Sequence, residues 1–357
     1  MISRNSLIVI QQHNKICLCT STAGRFFVLM VSLNSEQQER REGMNIVVIG
    51  AGSLGMLLTA KLASYCKRIE LVTRTQAQAD ALLAEGIQVK DQIDERNLQP
   101  NPEFIISSYE NPAYDNRLAD VPDYVLLTVK QFAIDDSFIR NVAARLGKTS
   151  KLICFQNGTG HVERLITQIS SDQIYLAITT EGAKRISATT VQHTGHGITY
   201  MGPSKPNSAP SEIKDLCNLL KSAGFRAETS NRIITKVWNK LVINSVINPL
   251  TAILRVKNGQ LIQSEHSIQV MRNLYAEALK VAQAESISLS EDLWEQIVEV
   301  CERTAANHSS MLQDVLAGRS TEINWINGAL LTIGDKHHLA LPVNQTVYHL
   351  VKTMDTS

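Results

Sequence analysis

The sequence predicts an α/β chain in two parts, an alternating strand–helix half followed by an all-helical half. Two observations carry this. From Met44 to Ser230, short β-branched runs alternate with stretches of helical composition. One of them, M-N-I-V-V-I at 44–49, is apolar without alternation, as a strand buried on both faces must be. From Asn231 onward strand signals almost vanish, and helical patterns run over 263–286, 289–308 and 318–338. The chain therefore divides into residues 1–43, 44–230 and 231–357.

Composition narrows the function classes. With 35 basic against 34 acidic residues, no global field favours nucleic acid or an anionic membrane. Six cysteines at 17, 19, 66, 154, 217 and 301 form no C-x-x-C pair, which suits reduced thiols in the cytoplasm better than disulfides or structural zinc. In the first 43 residues the apolar run from Phe26 to Leu33 is too short to span a bilayer. No small-residue cleavage site follows it, so this segment reads as a disordered extension or a mis-assigned start, with Met44 as the native one.

The strand at 44–49 runs straight into G-A-G-S-L-G at 50–55, and M-L-L-T-A-K-L-A then opens a helix. Gly50 permits the tight turn, Gly52 lets a pyrophosphate approach the backbone, and Gly55 allows close helix–strand packing. Ala51, Ser53 and Leu54 complete a turn whose free N–H groups suit phosphate. A lone glycine loop is weak; set between a strand and a helix at the start of a domain, it predicts a Rossmann-type dinucleotide-binding fold. The second strand, I-E-L-V-T at 69–73, ends in Thr73-Arg74-Thr75, with no acid from Leu71 to Ala79 to hold a ribose 2′-hydroxyl. Arg74 can instead pair with a 2′-phosphate, which favours NADPH/NADP+; a solvent-facing loop arginine is the plainer alternative.

Further along, Y-V-L-L-T-V-K places Lys130 at a strand C-terminus, where open α/β sheets bind ligands. K-L-I-C-F-Q-N-G repeats that pattern, and Asn157-Gly158 reads equally as a site residue or as a turn with a left-handed asparagine. His193 and His196 lie near glycines with no third ligand at suitable spacing, so they read as loop residues and no metal is expected.

The helical half opens with V-W-N-K-L-V-I-N-S-V-I-N-P-L-T-A-I-L at 237–254. Lys240, Asn244 and Asn248 recur every fourth residue and form a polar stripe on an otherwise apolar helix. Such groups need partners, supplied either by a neighbouring helix or by a polar substrate.

Together these residues resemble the ketopantoate reductase (2-dehydropantoate 2-reductase) family, from Met44 to about Lys352. The resemblance rests on G-A-G-S-L-G, T-V-K at 128–130, Q-N-G at 156–158, N-K-L-V-I-N-S-V-I-N-P-L-T-A-I, K-N-G at 257–259, S-S-M-L-Q-D at 309–314 and T-E-I-N-W-I-N-G at 321–328. It implies a helical second domain like the C-terminal domain of 6-phosphogluconate dehydrogenase. The implied activity is NADPH-dependent reduction of ketopantoate to (R)-pantoate on the way to pantothenate and coenzyme A. By position it implies Lys240 as proton donor, Asn244, Asn248 and Asn258 around the substrate's hydroxyl and carbonyl, Ser310 at its carboxylate, and Glu322 closing the cleft. It sets Asn157 and Lys130 near the nicotinamide and Ala183 along the cofactor path. Without it, Ser310 reads as a small residue at a helix contact and Glu322 as an acid at a helix start. Glu181-Gly182, beside Ala183, departs from the neutral or basic residues expected there. Two alternatives stay open: a reductase of another 2-oxo acid, or a non-catalytic NADP(H)-sensing protein. Both a monomer and a homodimer fit the family resemblance.

Overall fold

The computed structural model describes residues 8–12, 15–22, 25–31, 43–91, 95–110, 121–205 and 210–355. Within the first 43, Ile8–Gln12 (β1), Lys15–Thr22 (β2) and Arg25–Val31 (β3) pair as an antiparallel sheet, where a disordered extension was one of the two expectations. These are runs rich in β-branched and aromatic residues, and each connection leaves only two residues between strands. The rest of that segment, up to residue 42, lies outside the described residues.

Asn45–Ile49 (β4), Arg68–Thr73 (β5), Phe104–Ser108 (β8), Tyr124–Leu127 (β9), Lys151–Cys154 (β10) and Ile174–Thr179 (β11) form a parallel sheet in the order β8-β5-β4-β9-β10-β11. Counted from β4 this is 3-2-1-4-5-6, the doubly wound dinucleotide order, whose switch point lies between β4 and β9. Thr199–Pro203 (β14) joins β11 antiparallel and Ala227–Thr229 (β15) extends the edge. The unalternating runs are explained by their packing: Ile46 and Val48 face one core, Val47 and Ile49 the other. A second sheet joins Gly182–Arg185 (β12), Thr190–Gly195 (β13), Ile87–Lys90 (β6) and Arg96–Leu98 (β7). Helices Ser53–Leu62 (α1), Gln76–Glu85 (α2), Asp136–Arg145 (α3), His161–Leu165 (α4) and Lys214–Ser222 (α5) complete this half. The α2 and α3 helices are capped as their sequences demand: Thr75 accepts from the Gln78 N–H and Asp135 from the Phe138 N–H.

Ile233–Leu254 (α6) is the spine between the halves. Its first turns put Ile233 and Val237 into the sheet core, while Trp238 to Ala252 belong to the helical core. Pro249 lies inside this helix and cannot donate to the Ser245 carbonyl. The buried Asn327 takes that carbonyl at 3.0 Å and also donates to Asn344 Oδ1 at 2.9 Å. Asn344 in turn donates to buried Glu277, which also accepts the free N–H groups of Val343 and Asn344 at a helix start. Asn327 thus recovers a hydrogen bond the proline removes, and ties three helices together.

Glu265–Ala284 (α7), Leu293–Arg303 (α8), Ser310–Leu316 (α9), Asn327–Lys336 (α10) and Pro342–Met354 (α11) pack around it. The helical pattern read over 318–338 is corrected here: a bend and a single turn at Ile323–Trp325 precede α10, because Gly318 at φ 60° ends the preceding helix. Among the described residues no helix is long and apolar enough to cross a membrane.

Candidate active site

The first wall of the site is the end of the sheet. Gly50, at φ 112°, turns the chain, and a Cβ at Gly55 would stand 1.9 Å from the Gly50 carbonyl oxygen. A Cβ at Gly52 would enter open space. The turn is therefore closed where strand and helix meet, and open where a phosphate would approach. The first turn of α1 carries no acid, and Ser53 Oγ accepts from the Arg185 N–H, which brings the strand bearing half-buried Ala183 alongside the loop. The backbone oxygen of Ala51 is held by Gln78 Nε2 at 2.9 Å. Leu54 packs against the core, and Arg74 stands exposed directly after β5. This donor set, a glycine cradle on a helix start with an arginine at the next strand end, fits a dinucleotide carrying a 2′-phosphate.

Lys130, Asn157 and Thr179 follow the C-terminal ends of β9 and β10 and close β11. The second wall comes from the helical half and meets these three in turn. Lys130 Nζ donates to Asp314 Oδ2 at 2.5 Å, Asn157 Nδ2 to Glu322 Oε2 at 3.2 Å, and Lys240 Nζ to the Thr179 carbonyl at 2.9 Å. Burial pulls the Lys240 ammonium down to about 8, and the negative charge of Glu322 partly restores it. Burial likewise raises the Glu322 carboxyl, against the Asn157 hydrogen bond and the charges of Lys130 and Lys240. A lysine near neutrality beside a reluctant carboxylate can give up a proton without first being carried far from its resting state.

The remaining residues lie on α6, on α9 and in the turn at Asn258–Gln263. Asp314 and Ser310 sit four apart on α9, one above the other. Ser310 is exposed, and its neighbour Ser309 caps the helix and accepts from Thr251 Oγ1 at 2.6 Å. The same Thr251 oxygen lies 2.9 Å from the Asn248 carbonyl, so the start of α9 lies against the asparagine stripe of α6. Along that stripe Asn248 is buried, while Asn244 and Lys240 are half-buried. Asn258 donates to Thr304 Oγ1 at 2.8 Å and keeps a buried Oδ1 with no partner, an acceptor suited to a hydroxyl donor. Hydrogen bonds thus join Asn157 to Glu322 directly, tie Lys130 to Asp314 and Lys240 to Thr179, and reach Asn248 and Ser310 through Thr251 and Ser309; Arg74 and Ala183 stand on the cofactor side.

Sequence reasoning missed four participants. Asp314 lies inside S-S-M-L-Q-D, but nothing local says its carboxylate meets a lysine 184 positions away. Thr179 acts through a backbone carbonyl, invisible in any side-chain pattern. Gln131 Nε2 holds the Asn157 carbonyl at 2.5 Å. Glu110, two residues past the neighbouring strand, accepts from the Gln76 N–H at 2.8 Å in the turn that follows Arg74. The reading of His193 as a loop residue is also corrected, whereas His196 does lie in the loop after β13. His193 is a buried member of β13, paired with Ala183, and Asp91 supplies the third potential ligand that sequence spacing could not show.

One wall carries the glycine turn that suits a dinucleotide, and the other carries a buried lysine beside neutral hydrogen-bonding groups. That division of labour defines a dinucleotide-dependent oxidoreductase with a helical substrate half. Comparison with known proteins is specific beyond that class. "Ketopantoate reductase PanE/ApbA" matches residues 46–206, and "Ketopantoate reductase PanE/ApbA C terminal" matches residues 232–355. The chain belongs to the ketopantoate reductase family. It is 32% identical over 315 residues to the 2-dehydropantoate 2-reductase of Vibrio cholerae, covering 88% of this chain and 99% of that one. It is equally identical to the Bacillus subtilis 2-dehydropantoate 2-reductase, covering 87% and 98%. A solved Bacillus subtilis structure, "Probable 2-dehydropantoate 2-reductase panE", matches with a TM-score of 0.72 and 30% identity over 87% of this chain and 100% of that one. D-mandelate dehydrogenase with NADH and anilino(oxo)acetate matches with a TM-score of 0.77 over 87% and 98%, but at 23% identity it shows the shared fold alone.

Proposed function

We propose that this protein reduces 2-dehydropantoate to (R)-pantoate with NADPH, and that Lys240 delivers the proton. The observation that carries the reading is the Lys240–Glu322 pair, held across from the dinucleotide wall by Thr179 and Asn157. The cofactor, when bound, supplies hydride to the C2 ketone. Everything else falls to the chain. Residues 44–230 hold the cofactor, with Gly50 to Gly55 on its pyrophosphate, Arg74 on its 2′-phosphate, and Ala183, Lys130 and Asn157 along its path. Residues 231–357 hold the substrate. The Lys240 ammonium stabilises the developing alkoxide and then gives it a proton. Asn244, Asn248 and Asn258 orient hydroxyl and carbonyl without titrating, and the exposed Ser310 hydroxyl donates to the carboxylate. Glu322 keeps Lys240 charged against desolvation and closes the cleft. The four described cysteines, Cys66, Cys154, Cys217 and Cys301, are buried free thiols, which suits a reducing cytoplasm.

The test is NADPH oxidation by purified protein with ketopantoate, beside NADH and a panel of other 2-oxo acids. Preference for ketopantoate with NADPH supports the reading. Turnover of a different 2-oxo acid alone overturns the substrate, and binding without turnover overturns the enzyme. Two variants refine it. Arg74→Ala should weaken NADPH binding about 10- to 100-fold, the scale of a charge-assisted hydrogen bond, and leave NADH unchanged. Equal losses for both cofactors would remove the 2′-phosphate role. Ser310→Ala should raise the KM for ketopantoate several-fold, the scale of about 1 kcal/mol, with kcat nearly preserved. A fall in kcat at constant KM would count against carboxylate binding.

A further inference from the structure

His193 and His196 project from the end of β13 toward Asp91, directly after β6. One donor atom from each of the three lies within 4.8 Å of the other two. His193 Nδ1 is 3.0 Å from Asp91 Oδ2, His196 Nε2 is 3.9 Å from Asp91 Oδ1, and the two rings meet edge to face at 4.3 Å. On its far side His193 Nε2 donates to Glu181 Oε2 at 2.8 Å. A carboxylate behind an imidazole is how metal-binding histidines are oriented, because it fixes the proton on one nitrogen and turns the other's lone pair outward.

Here that lone pair creates a conflict. With Nε2 protonated, Nδ1 faces a carboxylate oxygen at hydrogen-bond distance, and two acceptors repel. With Nδ1 protonated as well, the ring faces the Lys61 ammonium, 3.2 Å from Nδ1 and 3.6 Å from Asp91 Oδ2. A single cation between Nδ1 and Asp91 removes the conflict, and Lys61 fills that place from one side. Asp91 and Glu181 bring two carboxylates against Lys61 in a cluster whose inner side chains are at most 10% exposed. A divalent ion in place of the ammonium sets two positive charges against two carboxylates. The unexplained Glu181 of the cofactor strand thereby acquires a task.

We propose that Asp91, His193 and His196 form a binding site for a divalent transition metal of the zinc, cobalt or nickel class, which exchanges with the Lys61 ammonium. Two imidazoles and one carboxylate are a ligand set these borderline ions favour, with the fourth position left to water. Entry is from the surface, since the His196 side chain is 54% exposed while His193 is 1% exposed. Binding carries no redox step and consumes no co-reactant.

The experiment is titration of the untagged full-length protein with Co2+, read by its visible ligand-field absorption and by competition with Zn2+. One saturable site per chain is expected. His196→Ala alters an exposed side chain, keeps the fold as checked by circular dichroism, and should weaken binding by about tenfold or more. Lys61→Met removes the competing ammonium and should tighten binding several-fold. Absence of saturable binding overturns the proposal, as does binding that His196→Ala leaves unchanged. Unaltered affinity in Lys61→Met overturns the exchange with the ammonium.

Discussion

Lys240→Ala should lower kcat/KM for ketopantoate reduction by the equivalent of about 3–5 kcal/mol, roughly two to four powers of ten. The variant removes both the charge nearest the developing alkoxide and the group that protonates it. Lys240 belongs to the helical half and donates to a strand-end carbonyl, so its loss leaves the glycine loop untouched. NADPH affinity, measured by fluorescence titration, should stay within about twofold. Lys240→Arg keeps the charge but cannot release a proton near neutrality, and should recover little of the rate. The pH profile gives an independent sign. A proton donor must be protonated, and burial places this lysine at about 8 in the folded protein. Activity of the free enzyme should therefore hold below that pH and fall as pH rises through it. The same shift enters stability with the opposite slope. The unfolded chain binds the proton more readily, so this lysine's contribution to stability rises from about pH 8 toward its ordinary range near 10.5. A Lys240→Ala enzyme with near-normal turnover would end the assignment.

The outer shape of the fold was legible because it is written in short-range pattern. Unalternating strands such as 44–49 announce burial on both faces, and the glycine turn announces the first crossover. The stripe of Lys240, Asn244 and Asn248 is likewise a property of one helix, readable from its period. What joins the stripe to the rest is not local. Asp314 meets Lys130, and Asn157 meets Glu322, across 184 and 165 positions, and no propensity or spacing encodes such pairings. The residues around Glu322 show why helix reading failed there. Thr321 to Ile326 have a helix-like composition, but the chain bends so that Glu322 reaches Asn157 and the Trp325 carbonyl reaches the opposite loop. Tertiary contacts outweigh a weak local preference. Asp91 is the same lesson in the second sheet, since β6 and β13 become neighbours only in the fold.

Gly158→Ala should lower both kcat/KM and stability. Gly158 has φ +81°, and a Cβ on it would stand 2.0 Å from the Trp325 carbonyl oxygen, a backbone atom that cannot swing aside. That carbonyl also accepts from the Thr159 N–H at 3.3 Å, so the glycine is where the strand-end loop and the Glu322 turn touch backbone to backbone. Two penalties add in the variant. A left-handed backbone costs a non-glycine residue roughly 1–2 kcal/mol, and relieving the clash must push the two loops apart. The displaced neighbour is Asn157, whose hydrogen bond to Glu322 spans the same gap. A shift of about 1 Å at positioning groups is worth on the order of a hundredfold in rate, so kcat/KM should fall by about that factor, together with a lower denaturant midpoint. Gly160→Ala supplies the control. It shares the positive φ, at +98°, but its Cβ would meet nothing within 4 Å. It should show the backbone penalty in stability and nearly full kcat/KM. If the two variants lose activity equally, the close approach of the loops is not what holds Asn157 and Glu322 in register.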